Sequence, residues 1–175
     1  MNLKIALVAG AMALGVSGCM TPMASAPAPM AVTTAAVFVP TAVSSNLLEI
    51  ESSRMALDRA RNPEVRRFAR QMIREHNMAT RRMSAVLRRS GLPMPAPAMI
   101  PRHQQMLASL QTASDFDAAY MGAQVMAHQE SVALFSSYAS NGDVPPLAAF
   151  ARQTLPNLQM HLQHAQGIAG GGRGM

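Results

Sequence analysis

The sequence lacks the patterns that many enzyme classes require. It has no Gly-x-Ser-x-Gly elbow to present a nucleophilic serine and no phosphate-binding glycine loop, because its glycines fall mainly in the leader, in turns and in the tail. It also has no alternating strand pattern and no aromatic-rich run, whereas alanine, leucine, methionine, arginine and glutamine, which favour helices, are abundant. These absences argue against an enzyme and predict an all-α domain.

The only apolar run that approaches the length of a membrane span lies at the N-terminus. Residues 5–16 follow a short positive start but are too few to cross a bilayer, and Val16-Ser17-Gly18-Cys19 closes the run with small residues. This segment resembles a bacterial lipobox, which implies cleavage before Cys19 and acylation of its thiol. Met20 stands where an aspartate would retain the protein at the inner membrane, so the implied destination is the outer membrane. We therefore expect residues 1–18 to be a signal peptide and the mature chain to be a periplasmic lipoprotein.

Cysteine and lysine each occur once in the sequence. If Cys19 carries lipid, no thiolate remains for a metal or redox site. Cleavage of the leader also removes Lys4, which leaves fourteen arginines against nine acidic residues, with eleven of those arginines between residues 54 and 89. An exported lipoprotein rarely meets nucleic acid, so we expect no nucleic-acid partner. The arginine stripe is then either a solvated helix face or a surface for anionic lipid or an envelope protein.

Proline, glycine and asparagine mark the ends of the predicted helices. Residues 19–40 are predicted to be a lipid anchor and flexible tether, residues 41–169 a four-helix bundle domain, and residues 170–175 a flexible tail. The predicted helices span about 41–61, 63–90, from a cap at 114–117 to about 140, and 144–168. A proline-rich crossover at 92–101 and a short extra helix at 103–112 join the two helical hairpins.

Helical periodicity places three histidines on buried faces. His76 lies on the apolar face of the second helix, His128 lies in the broad buried arc of the third, and His161 lies on the apolar face of the fourth. His103, in the crossover, is expected to be exposed. His164, one turn beyond His161, is a peripheral spare ligand.

Distance from the turns gives these histidines a level within the bundle. Residues equidistant from a hairpin turn lie at the same height, because both helices rise about 1.5 Å per residue. Glu49 and His76 are equidistant from the Asn62-Pro63 turn, and His128 and His161 are equidistant from a point two residues past Gly142. The second pair lies about three residues farther from its turn, or about 4.5 Å along the axis. If the register of the hairpins closes that offset, one carboxylate and three imidazoles meet in the core.

Glu49, His76, His128 and His161 are therefore the candidate metal ligands. Imidazole and carboxylate suit one transition metal ion such as iron, copper or zinc. The methionine one turn before His76 and the methionines beside His128 and His161 favour copper among these. No glutamate is followed three residues later by a histidine, which argues against a di-iron ferroxidase. The alternative is a buried hydrogen-bond network with Glu49 as its acceptor. The protein would then be a non-catalytic cell-envelope or stress-response module that binds a partner protein or anionic lipid.

A set of short motifs resembles the bacterial family called domain of unknown function 4142. The matching residues are Phe38-Val39, Glu49-Ile50-Glu51, Asn62-Pro63-Glu64-Val65, Phe68-Ala69, Met72-Ile73, His76, Phe116-Asp117, Tyr120, His128-Gln129, Leu155-Pro156 and His161. The resemblance covers about residues 38–168 and implies an exported protein, often a lipoprotein, with a ferritin-like bundle. The family usually has aspartate before the first histidine, where this chain has Glu75. Either acid could orient the imidazole. The resemblance implies no activity.

Overall fold

Five helices form a four-helix bundle with one short additional helix. The computed structural model describes residues 34–171, and within them it contains helices and their connections without a strand. The helices are α1 (Ala35–Arg59), α2 (Pro63–Arg89), α3 (Pro101–Gln111), α4 (Phe116–Asn141) and α5 (Pro145–Gly171). α1 pairs with α2 and α4 with α5, while contacts of α1 with α4 and of α2 with α5 close the bundle. The predicted all-α bundle of two hairpins is confirmed.

The predicted turn residues form caps that stop one helix and start the next. The Asn62 side chain accepts a hydrogen bond from the Glu64 N–H at 2.8 Å, and Pro63 occupies the first turn of α2, where its missing N–H costs nothing. At the far end of α2, Gly91 has φ of 69°, a left-handed conformation that suits a residue without a side chain. The Asp115 carboxylate caps α4 by accepting from the Ala118 N–H.

The first helix begins at Ala35 rather than at about residue 41, so it includes Pro40. Proline inside a helix usually marks a boundary, because it removes a backbone hydrogen bond. Two tertiary contacts stabilise this turn of helix. The Phe38 ring stacks on Tyr138 with centroids 4.1 Å apart, and the Ala35 N–H donates to the Asp143 carboxylate at 2.8 Å.

The bundle core consists of two apolar clusters with a polar layer between them. One cluster surrounds Phe38, Tyr138 and Leu147, and the other surrounds Phe68 and Tyr120. Buried polar side chains lie along the helices between these clusters, namely Ser45, Glu49, Ser52, Ser53, His76, Gln124, His128, Ser131 and His161. The apolar clusters stabilise the fold by burial on either side of this layer.

His103 is buried, which shows that its predicted exposure was wrong. Its Nδ1 lies 2.6 Å from the Ser44 hydroxyl oxygen, and that oxygen also accepts a hydrogen bond from the Ile100 N–H at 2.9 Å. Glu130 lies beside the other ring nitrogen at 3.5 Å and pairs with Arg102. These polar contacts fasten α3 and the crossover to α1 and α4.

Several predictions concern residues outside the described part of the chain. The signal peptide, Cys19 and most of the tether precede residue 34, and residues 172–175 follow the end of α5 at Gly171. These predictions stay predictions. Across residues 34–171, none of the helices combines the length and apolar character needed to cross a membrane.

Candidate metal centre

Three histidines from three helices meet in the polar layer. Ring centroids of His76 and His128 are 5.7 Å apart, those of His76 and His161 are 5.8 Å apart, and those of His128 and His161 are 5.4 Å apart. One ring nitrogen from each histidine can be chosen so that all three lie within 4.8 Å of one another. The register of the two hairpins therefore closes the axial offset that the distances from the turns left open.

Asn46 fixes the tautomer of His76. The Asn46 carbonyl oxygen lies 2.8 Å from His76 Nδ1, and because a carbonyl oxygen can only accept, Nδ1 carries the hydrogen. The Asn46 amide is held in this orientation by donating to the Thr80 hydroxyl at 3.3 Å, while Thr80 itself donates to the His76 carbonyl at 2.9 Å. His76 Nε2 is left with a lone pair that points into the core.

His128 and His161 have their tautomers fixed in the same way. His128 Nδ1 lies 2.9 Å from the Gln124 backbone carbonyl, which accepts its hydrogen and leaves the lone pair on Nε2. His161 Nε2 lies 2.6 Å from the Glu75 carboxylate, which leaves the lone pair on Nδ1. An acceptor behind each ring is the arrangement by which proteins orient histidine ligands toward a metal.

The three inner nitrogens lack other partners. Among residues 34–171, His76 Nε2, His128 Nε2 and His161 Nδ1 are buried without a hydrogen-bond partner. Leaving a buried polar atom unsatisfied costs about 1–3 kcal/mol. Burial, with the neighbouring His128, lowers the pKa of His76 well below the ordinary 6.5. Burial also lowers the pKa of His161, although its hydrogen bond to Glu75 opposes this effect, so the neutral forms that can coordinate a cation are favoured in both rings. The donor set therefore fits a transition metal ion.

Glu49 lies beside this group rather than within it. Its Oε1 is 3.5 Å from His128 Nδ1, on the edge of the ring that bonds to Gln124, and it does not belong to the mutually close ligand atoms found among the described residues. The side chain is fully buried, and neither carboxylate oxygen has a hydrogen-bond partner within residues 34–171. Burial raises the pKa of Glu49, although His128 and Gln124 partly offset this effect. Its assignment as a direct ligand stays a prediction.

Sequence reasoning missed the acceptors that orient the rings. Asn46, one helical turn before Glu49, contacts His76, whereas equal distance from the turn had paired His76 with Glu49. Glu75 was expected to orient the neighbouring His76, but it reaches across the bundle to His161 instead. Adjacent residues on a helix point about 100° apart, so Glu75 and His76 face different neighbours. This difference in direction could have shown from the sequence that Glu75 does not contact the ring of His76.

His164 and the methionines beside His128 and His161 lie outside the centre. Met126 and Met160 are about half exposed, at 46% and 49%, although the adjoining His128 and His161 are buried, so these thioethers point away from the histidines. His164 is exposed, and its ring packs against Phe68 with centroids 5.2 Å apart.

A groove between α2 and α5 reaches the centre from the surface. It encloses a cavity of about 60 Å³, and its lining comprises Asn46, Glu75, His76, Met78, Ala79, Arg82, Phe135, Thr154, Asn157, Leu158 and His161. His76 and His161 thus line it, whereas His128 does not. We refer to this feature as the α2–α5 groove.

Comparisons with solved structures support the fold. CopM in its Cu(II)-bound form has a TM-score of 0.68 and 22% identity, covering 79% of this chain and 97% of that chain. A DUF305 fragment from Deinococcus radiodurans has a TM-score of 0.65 and 22% identity, covering 76% and 93% of the respective chains. CopM in its apo form has a TM-score of 0.63 and 21% identity, covering 77% and 94%.

Sequence comparison establishes the family. No curated protein sequence matches the chain significantly. The family model described as "Domain of unknown function (DUF4142)" matches residues 20–168, which include all five helices except the last residues of α5. The chain belongs to the DUF4142 family.

Proposed function

We propose that the protein binds one transition metal ion in the bundle core through His76, His128 and His161. The observation that carries this proposal is the convergence of three buried histidines, each of which keeps one buried ring nitrogen without a hydrogen-bond partner in residues 34–171. A buried hydrogen-bond network, the alternative considered from the sequence, would instead use those nitrogens as donors or acceptors. Here the hydrogen bonds of the rings lie on their outer edges.

The donor types limit the choice of metal. Neutral imidazoles suit copper, zinc and iron, and the carboxylate of Glu49 beside His128 would offset part of the charge of a divalent ion. The similar bundle of CopM has been solved in Cu(I)-bound, Cu(II)-bound and Ag-bound forms, which favours copper as the first metal to test. A bound ion would supply a Lewis-acidic centre and, if copper or iron, a redox couple.

Metal analysis of the purified protein tests this proposal. The full chain with Cys19→Ser and without a histidine tag would be loaded separately with copper, zinc and iron and then dialysed. We expect one ion per chain for at least one metal, a loss of most of it in His76→Ala, and full retention in His164→Ala, which removes an exposed histidine. Less than stoichiometric metal under every loading, or equal retention by both variants, would refute the site.

We also propose that the chain is an exported lipoprotein, anchored through Cys19 in the periplasm at the outer membrane. The support is the short apolar leader that ends in Val16-Ser17-Gly18-Cys19. Palmitate labelling of cells that express the protein should mark the wild-type chain and not Cys19→Ser. Label in both chains, or in neither, would contradict lipid attachment at this residue.

The arginine face of α2 supports a second candidate function, binding to an anionic lipid surface. Arg66, Arg67, Arg70, Arg81 and Arg88 are exposed, and none forms an ion pair with a carboxylate of the described residues. Each exposed arginine or lysine close to an anionic membrane contributes about 1 kcal/mol to the binding of the protein to that membrane. A lipid anchor would hold this face close to such a surface.

Vesicle co-sedimentation separates this surface from a solvated helix face. The chain with Arg67→Gln, Arg70→Gln and Arg81→Gln should sediment less with phosphatidylglycerol vesicles than wild type. The control carries Gln159→Glu, Gln163→Glu and Gln166→Glu on α5, where all three glutamines are exposed. It changes the net charge by the same amount as the arginine variant. Equal loss in both variants would indicate a response to net charge alone and remove the role of the arginine face.

A further inference from the structure

Three imidazoles do not complete the coordination of Zn(II) or Cu(II). Zinc takes four ligands, and a site with three protein ligands keeps one position for water or an exogenous donor. Whether that position is open depends on what surrounds the three nitrogens. Two features beside the histidines could provide a fourth ligand: the carboxylate of Glu49, or a molecule that enters through the α2–α5 groove.

The position of Glu49 argues against its filling the fourth place directly. Its Oε1 approaches the Nδ1 edge of His128, whereas the free lone pair of that ring is on Nε2. For Glu49 to become a ligand, the carboxylate would have to move past the ring that it now borders. In the present arrangement it offsets charge from the side.

The α2–α5 groove lies on the other approach to the site. Its cavity of about 60 Å³ exceeds the volume that one water needs, and it is bordered by two of the three candidate ligands, His76 and His161. Its lining includes a carboxylate, Glu75, and a thioether, Met78, which is 46% exposed. Both are groups that attract metal cations, the first by charge and the second by softness.

We propose that the fourth coordination position is open toward the α2–α5 groove, and that the metal enters and leaves through it by exchange with small chelating donors. This inference rests on the proposed metal site. It makes the centre one from which metal is delivered and withdrawn, rather than a sealed structural site. The expected exchange partners are small molecules or flexible side chains with nitrogen, oxygen or sulfur donors, since a cavity of this size admits a few atoms at a time.

Blocking the groove without touching a ligand tests the route. Ala79 lines the groove, and Ala79→Trp would fill it while retaining all three histidines. Ala133→Trp is the matched control, because Ala133 is exposed on α4 and does not line the groove. The sequence has no tryptophan, so each variant also carries a single tryptophan whose fluorescence can be excited selectively.

The measurement is the rate of Cu(II) uptake and of Cu(II) removal by excess EDTA, followed by stopped-flow absorbance on the full chain with Cys19→Ser. A blocked route slows both directions, so we expect Ala79→Trp to slow uptake and removal by about tenfold or more with little change in equilibrium affinity. Ala133→Trp should match the wild-type rates. Azide should change the Cu(II) spectrum of wild type and of Ala133→Trp, and not that of Ala79→Trp.

The outcomes separate this inference from the proposed function. A wild-type chain that binds no stoichiometric metal refutes the metal site itself. A wild-type chain that binds Cu(II), with exchange rates and azide response unchanged in Ala79→Trp, leaves the site in place and refutes the groove as its route. If Ala79→Trp does not fold, Asn157→Phe, on the opposite wall of the groove, provides the same test.

Discussion

Replacing Glu75 by glutamine should weaken metal binding although Glu75 is not itself one of the three ligands. The carboxylate accepts from His161 Nε2 at 2.6 Å, so it holds the ring and keeps the lone pair on Nδ1. Glutamine has the same shape but no charge, and its amide can also rotate to donate to Nε2. That rotation would move the hydrogen to Nδ1 and block coordination.

The magnitude follows from the kind of contact that is lost. Removal of an acceptor behind a histidine ligand typically lowers metal affinity by about 10- to 100-fold. That loss corresponds to about 1.4–2.8 kcal/mol of binding free energy. The Glu75 side chain is 23% exposed, and water therefore weakens its hydrogen bond to His161. We expect a loss of binding free energy toward the lower end of this range.

Competition titration against a chromogenic chelator measures this effect. Glu51→Gln is the control, because it also replaces a helical glutamate by glutamine, and Glu51 pairs with Arg54 instead of with a histidine. We expect Glu75→Gln to lose about tenfold in affinity and Glu51→Gln to lose little. Equal affinities for the two variants would refute the reasoning that Glu75 controls the tautomer of His161.

Three further predictions concern the surroundings of the centre. Burial raises the folded-state pKa of Glu49, so the ionised carboxylate destabilises the fold as pH rises above 4.5, and Glu49→Gln should stabilise the metal-free protein at pH 7 in urea unfolding. The same variant should lose metal affinity in a chelator titration, because it no longer offsets the charge of the ion. His103→Ala should cost about 1–3 kcal/mol in urea unfolding by removing the bond to Ser44, without changing metal affinity. Because burial lowers the pKa of His76 and His161 in the folded protein, the unfolded chain binds protons first as pH falls below 6.5, and the free energy of unfolding decreases. His76→Asn removes one of these groups, so its free energy of unfolding should decrease less than that of wild type between pH 7.5 and 5.

These three predictions can each be contradicted. Unchanged unfolding of Glu49→Gln at pH 7 would show that the carboxylate carries no burial penalty. A loss of metal by His103→Ala would connect the crossover to the centre. Parallel stability curves for wild type and His76→Asn would place the acid sensitivity at other groups.

The sequence predicts the helices because local signals and apolar periodicity agree along most of the chain. Asn62 and Pro63 form the expected cap, and Gly91 ends α2 in the expected left-handed conformation. The start of α1 was missed because Pro40 is a local signal for a boundary, whereas contacts of Phe38 with Tyr138 across the bundle stabilise helix there. Such contacts are invisible until the pairing of helices is known.

The candidate centre was only partly predictable for a related reason. Periodicity places His76, His128 and His161 on inward faces, and the structure brings them together. The relative height of residues on different helices depends on the geometry of each turn, and one helical turn of difference puts Asn46 rather than Glu49 opposite His76. Sequence spacing alone does not fix that register.

A direct count of the coordinating imidazoles tests the central claim. The measurement is pulsed electron paramagnetic resonance of the Cu(II)-loaded full chain with Cys19→Ser, which detects the nitrogens of coordinated histidine rings. We predict three equatorial imidazoles in wild type and two in His76→Ala if that variant retains any copper. A spectrum with fewer than three imidazoles in wild type, or one that is unchanged in His76→Ala, would contradict the proposed centre.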